Sequence, residues 1–258
     1  MDSPPAVKRT ADTPVTRRTW MEWVGKATVL SLGSVLLTRC NRGMNTPSST
    51  GDPVETENLC GSASLGEKAF TPASFEGTIF ENWPVRTVDP QELNWILSNW
   101  QLTVDGMVDE PGVFTFTDLF KLPRQDQITD FHCVEGWSIP DVPWNGVHLS
   151  ELLALVKPHS SATHITFHTI NETYNESLPL EVALEPRTLL AYGINCATLP
   201  LDHGFPLRLV VPRLLAYKSP KYVYRIELTD KAVSGFWVQR GYSYEGEVSA
   251  SRLRPGKY

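Results

Sequence analysis

The stretch FHCVEGWSIPDVPWNGV (Phe131–Val147) sets one cysteine, Cys133, where a strand-like run meets a loop rich in Gly and Pro, with Trp137 and Trp144 close by. The run leading into it, DQITDFHC (Asp126–Cys133), reads as a strand. A cysteine in such a place is open to two readings. It is either an inert buried thiol, or a thiolate that the loop presents to a ligand while the aromatic residues exclude water. A thiolate suits a soft metal centre. The two tryptophans are equally open, as shield or as core. His132 adjoins the cysteine, but successive strand residues point to opposite faces, so it reads as structural.

Outward from this stretch, short strands alternate with a few short helices. QLTVDG (Gln101–Gly106) reads as a strand entering a turn at Asp105-Gly106. TDLFKLP (Thr117–Pro123) reads as a short helix with an N-cap Thr and a Pro stop. HLSELLALV (His148–Val156) carries apolar residues at helical spacing, and ATHITFHTI, RLVVP and YVYRIEL follow as strands. Strands outnumber helices without regular alternation, which argues against a doubly wound sheet. The expected class is α+β, a β-rich domain with a mixed sheet, over residues 75–258.

Composition narrows the function. Net charge is -6 over 258 residues, but residues 1–50 carry +4 and the remainder -10. An acidic body offers no footprint for nucleic acid. Four cysteines, Cys40, Cys60, Cys133 and Cys196, form no C-x-x-C pair, so zinc ribbons, thioredoxin chemistry and c-type haem have no support. Cys60 and Cys196 receive no role. A phosphate-cradling glycine loop and a G-x-S-x-G elbow are missing too.

The first forty residues read as an address. VTRRTWMEWVGKATVLSLGSVLLTRC places Arg17 and Arg18 before an uncharged run from Ala27 to Thr38. That run is too short to cross a bilayer core of about 30 Å, which takes about 20 residues; it fits the apolar region of a signal peptide. T-R-R-T-W-M-E resembles a twin-arginine export signal, so the twin-arginine export machinery is an expected partner. Cys40 is a candidate for lipidation, although Arg39 stands where such signals want a small residue, and an uncleaved anchor is the other membrane option. Residues 41–74, rich in Ser, Thr, Gly, Asn and Pro, read as a flexible linker.

Four blocks in order, DFHCVEGWS with W-N-G-V, LPLDHGFPLRLVVP (Leu199–Pro212), YKSPKYVYRIEL (Tyr217–Leu228) and GFWVQRGY (Gly235–Tyr242), closely resemble the sulfite oxidase superfamily of molybdopterin oxidoreductases. The likeness is nearest to the bacterial, haem-free members, which include the catalytic subunit of the periplasmic methionine sulfoxide reductase. It implies a Mo-molybdopterin cofactor whose molybdenum is ligated by Cys133. It also implies that Thr169, His203 and Arg208 hold the pterin and its phosphate, and that Ser219, Pro220 and Lys221 form a gripping loop. Arg208 and Lys221 can neutralise a phosphate, the first by a bidentate fork, the second as a point charge. Asn82 and Trp83 lie where relatives place an early cofactor contact, in a looser local pattern. Tyr174, in TYNESLPL, matches a substrate-side tyrosine, and a phenol there can donate to an oxo group or anion.

The implied activity is oxygen-atom transfer at a small-molecule or protein-borne oxide, an S- or N-oxide reductase in the periplasm or another extracytoplasmic place. Without haem of its own, the chain would exchange electrons with a redox partner protein, a membrane haem subunit or a soluble cytochrome. Sulfite oxidases carry an arginine shortly after the metal-binding cysteine. Here Val134-Glu135-Gly136-Trp137-Ser138 follows instead. A sulfite oxidase-like dehydrogenase remains the alternative, since Arg86 or Arg213 could supply the missing charge. A non-catalytic exported binding module on the same fold and a cysteine hydrolase using Cys133 are readings of other classes.

Overall fold

The computed structural model describes residues 70–73, 81–88 and 90–258. The export signal, Cys40, Cys60 and most of the expected linker lie outside the described residues. Phe70, at the end of that expected linker, packs its ring against Phe116 and Phe205, with centroids 4.8 and 5.1 Å away.

Two five-stranded sheets carry the domain, which matches the expected β-rich, mixed α+β class. The first runs β2-β1-β10-β5-β6. Its strands are β1 (Leu102–Gly106), β2 (Gly112–Phe114), β5 (His164–Thr169), β6 (Asn175–Pro179) and β10 (Val223–Thr229). It is mixed because β1 lies parallel to β10 while the other pairs are antiparallel. At the end of β1, Gly106 sits at φ +86, and a Cβ there would stand 2.2 Å from the Leu228 carbonyl oxygen. Only glycine permits that turn and that approach. The second sheet runs β3 (Arg124–His132), β4 (Ser138–His148), β7 (Leu189–Ile194) and β8 (Ala197–Thr198), with β9 (Arg208–Val210) also paired to β7.

Short helices close the layers. α1 (Leu93–Asn99) leads to Trp100, whose indole Nε1 donates to the Val223 carbonyl at 3.0 Å. α2 (Phe116–Leu119) begins two residues earlier than the Thr117 cap read from the sequence implies. Thr115 is the cap, because its hydroxyl accepts from the Asp118 N–H while the Asp118 carboxylate accepts from the Thr115 N–H. α3 (Leu149–Val156) buries Leu149, Leu152, Leu153 and Val156 on one stripe, as its spacing predicts. Burying side chains of this size stabilises by roughly 1.5–3 kcal/mol each. α4 (Leu180–Ala183) follows β6. Among the described residues, no helix is long and apolar enough to cross a membrane.

Candidate active site

β3 and β4 form a hairpin whose connection carries Cys133. The Cys133 N–H donates to the Trp137 carbonyl at 2.9 Å and the Gly136 N–H to the Cys133 carbonyl at 3.2 Å. Gly136, at φ +98, completes this tight turn. A register shift between Thr129 and Phe131 bulges the facing strand at Pro140-Asp141, and Asp141 takes φ +53. Bulges beside a hairpin end re-aim the residues beyond them. Cys133 is buried and is the one free thiol among the described residues, whereas Cys196 is disulfide-bonded. Burial pushes the Cys133 thiol upward, opposed by backbone N–H donors at the turn.

The cysteine opens on a cleft of about 510 Å³. Into it the chain brings Trp83, Thr169, Tyr174, His203, Arg208, Ser219, Pro220 and Lys221 from separate elements. Asn82 is exposed and is not among the lining residues; Trp83, its neighbour, turns inward instead. The Trp83 ring lies against His203, Phe131 and Trp144, with centroids 4.7, 5.2 and 5.8 Å away. Trp144 is wholly buried core, while Trp137 lines the cleft. His132 points away and meets the Ser138 hydroxyl at 2.8 Å.

Arg208 and Lys221 set the electrostatics. Arg208 is buried and donates only to carbonyls, those of Leu209, His203 and Ser219, at 3.4, 3.1 and 3.2 Å. Its guanidinium lies over Phe131 and Trp144. Lys221 donates to the Thr87 hydroxyl at 2.7 Å and the Asp202 carbonyl at 2.8 Å. Burial first, and then Arg208, pull the ammonium down to about 7; burial brings the guanidinium to about 10. Gly204 makes this crowding possible: at φ +108, a Cβ there would lie 3.1 Å from side-chain carbons of both Arg208 and Lys221. The Ser219 hydroxyl accepts from the Val211 N–H at 3.0 Å, which ties the gripping loop to the end of β9.

On the outer side, Tyr174 is half-buried and stacks on Phe236, with centroids 5.5 Å apart. Its phenol donates to the Tyr217 carbonyl, and burial holds its proton firmly. Arg86 reaches Glu135 with Nε 3.0 and 3.1 Å from the two carboxylate oxygens, and Trp137 Nε1 donates to the same carboxylate at 2.7 Å. Arg213 is not among the lining residues; it pairs with Glu185 and Glu247. Arg240 lines the cleft over the Phe236 ring, 3.5 Å from its centroid. Sequence reading did not assign Thr87, the Glu135–Arg86 pair, or Arg240. Their partners lie far along the chain or within unassigned parts of a motif, so local patterns carry no sign of them.

Residues 86–237 match the oxidoreductase molybdopterin binding domain. The chain is 36% identical over 151 residues to an uncharacterized oxidoreductase, YuiH, of Bacillus subtilis, covering 58% of this chain and 76% of that protein. It is 34% identical over 174 residues to the protein-methionine-sulfoxide reductase catalytic subunit MsrP of Ralstonia nicotianae, 60% of this chain and 52% of the other. The match thus spans about half of that reductase. Among solved structures, sulfane dehydrogenase SoxCD from Paracoccus pantotrophus superposes with a TM-score of 0.51 at 27% identity, over 56% of this chain and 41% of that one.

Proposed function

This chain belongs to the oxidoreductase molybdopterin binding domain family and is a molybdopterin-dependent oxidoreductase, and we propose that it reduces a neutral or dipolar S- or N-oxide, small or protein-borne. The methionine sulfoxide reductase relative supports a sulfur oxide as the substrate class. The residues of the cleft fit the cofactor. Two cations of the cleft, the buried Arg208 and the half-buried Lys221, have no carboxylate in ion-pair contact among the described residues. A charge buried like that of Arg208 is costly unless an opposite charge meets it, and the pterin phosphate would supply one to both cations. Cys133 offers a shielded soft ligand for molybdenum, with Thr169, His203, Ser219, Pro220 and Trp83 around the pterin.

Bound there, the cofactor would supply the oxygen-atom transfer and the change in metal oxidation state. The chain's own residues would bind, orient and exclude water. Tyr174 would turn its phenolic hydrogen bond from the Tyr217 carbonyl to the oxide, keeping its proton. Reduction of a sulfoxide to a sulfide and water consumes two electrons and two protons, so a redox partner protein, a membrane haem subunit or a soluble cytochrome, would deliver the electrons. Export fits the disulfide at Cys196, since such bonds persist in oxidising compartments.

The observation that carries the oxide reading is the Arg86–Glu135 pair. The arginine that could have met a small anion beside Cys133 is cancelled by the carboxylate two residues further on. Losing one charge-assisted contact to an oxyanion costs about 1.5–3 kcal/mol, or roughly ten- to a hundredfold in rate. A second reading, oxidation of a sulfur anion, draws on Arg240, a cleft cation with no ion pair among the described residues, and on the sulfane dehydrogenase likeness.

The test compares sulfite-dependent reduction of an electron acceptor with dye-driven reduction of sulfoxides on one metal-replete sample. Sulfoxide turnover with weak sulfite turnover is expected, with about one molybdenum per chain, and Cys133→Ser should remove both the metal and the turnover. Fast sulfite oxidation at micromolar substrate, lost in Arg240→Gln, would select the second reading. A folded wild type without molybdenum would remove both.

A further inference from the structure

The chain beyond residue 237, outside the matched family segment, comes back to the turn that carries Cys133. Arg252 donates from Nη1 to the Cys133 carbonyl at 3.1 Å, and from Nη2 to the Trp137 carbonyl at 2.9 Å and the Ser138 hydroxyl at 3.0 Å. One planar guanidinium therefore spans both ends of the turn, and each carbonyl it holds also accepts a backbone N–H within that turn. At the tip of the turn a Cβ on Gly136 would meet nothing within 4 Å, and the contacts there are to the exposed Glu135 carboxylate, from Arg86 and Trp137, not to the backbone carbonyls. Arg254 and Lys257 secure the base of the same hairpin. Arg254 Nε reaches Asp130 at 2.6 Å, its Nη2 reaches Asp141 at 3.0 Å, and Lys257 Nζ reaches Asp141 at 2.8 Å.

We propose that Arg252 is a positioning residue that sets the direction of the Cys133 sulfur by fixing both carbonyls of its turn. This rests on the reading of Cys133 as the molybdenum ligand. A ligand on a five-residue turn, open at its tip, moves with every change in the turn's peptide planes. A bidentate donor is what holds two carbonyls in one plane, and a lysine, as a point donor, cannot do the same. Groups that fix a ligand's orientation tune a metal without touching it.

Two readouts on Arg252→Gln and Arg252→Lys test this, with Arg254→Gln as the comparison because it loosens the hairpin base but not the turn. In metal-free protein, amide hydrogen exchange at Cys133 and Gly136 should quicken about tenfold in both Arg252 variants, the change expected for one lost hydrogen bond, and stay near wild type in Arg254→Gln. In the metal-loaded protein, the electron paramagnetic resonance signal of partly reduced molybdenum should shift or broaden in the Arg252 variants alone, with kcat lowered and KM kept. Arg252→Lys keeps the test open if Arg252→Gln does not fold. Unchanged exchange and an unchanged signal in a folded Arg252 variant would overturn the proposal, as would equal changes in Arg254→Gln. A wild type without the molybdenum signal would strike the ligand reading instead, leaving the exchange measurement to judge the turn.

Discussion

His203 shows how a single residue acts through its surroundings. It is buried against Trp83, and burial first, then the charges of Arg208 and Lys221, hold its imidazole down to about 3. An unfolded histidine titrates near 6.5, so between about 3 and 6.5 the unfolded chain binds a proton that the folded one refuses. Stability from this site is full above pH 6.5 and is lost as pH falls toward 3. His203→Asn removes the titration. Metal-free wild type should lose on the order of 2 kcal/mol more than this variant between pH 7.5 and 4.5, read from urea unfolding at both pH values; equal losses would refute it. Cys133, Arg208 and Lys221 could be named from the chain because their motifs are compact. Thr87, which receives Lys221, could not, since the two residues are 134 positions apart.

At the scale of elements, β6 and the turn after Leu215 are joined through a pair that no sequence motif announced. Lys218 Nζ lies 2.6 Å from Glu176 Oε1 and 3.0 Å from the Ser177 carbonyl, with both side chains buried. Burial raises the Glu176 carboxyl and lowers the Lys218 ammonium, each resisted by its partner. Lys218→Met leaves a carboxylate alone in the interior and should cost about 3–5 kcal/mol in urea unfolding. Adding Glu176→Gln should recover part of this, and a loss under 1 kcal/mol would mean that the pair contributes nothing. The pair stands directly before Ser219, Pro220 and Lys221, so it also anchors the gripping loop. The elements themselves were partly legible. α3 and β3 follow from apolar spacing, whereas the start of α2 depended on which of two threonines the Asp118 carboxylate answered.

Across the whole molecule, a metal-loaded protein that is exported must travel folded, because cofactor insertion precedes transport. Arg17 and Arg18 lie outside the described residues, and their pairing before an apolar run is the proposed address. Changing both to Lys should leave a full-length precursor in the cytoplasm, followed by fractionation and immunoblotting; export at the wild-type rate would end that assignment. The sequence by itself determined the family, the metal-ligand candidate and the β-rich class, because these rest on residues adjacent in the chain and on local periodicity. Only the tertiary structure decided that Asn82 faces outward while Trp83 lines the cleft, and that Glu135 cancels Arg86. It alone placed Arg252 behind Cys133, 119 positions away. Charge pairing and bracing depend on distances in space, which the folding of two sheets sets and which no spacing along the chain records.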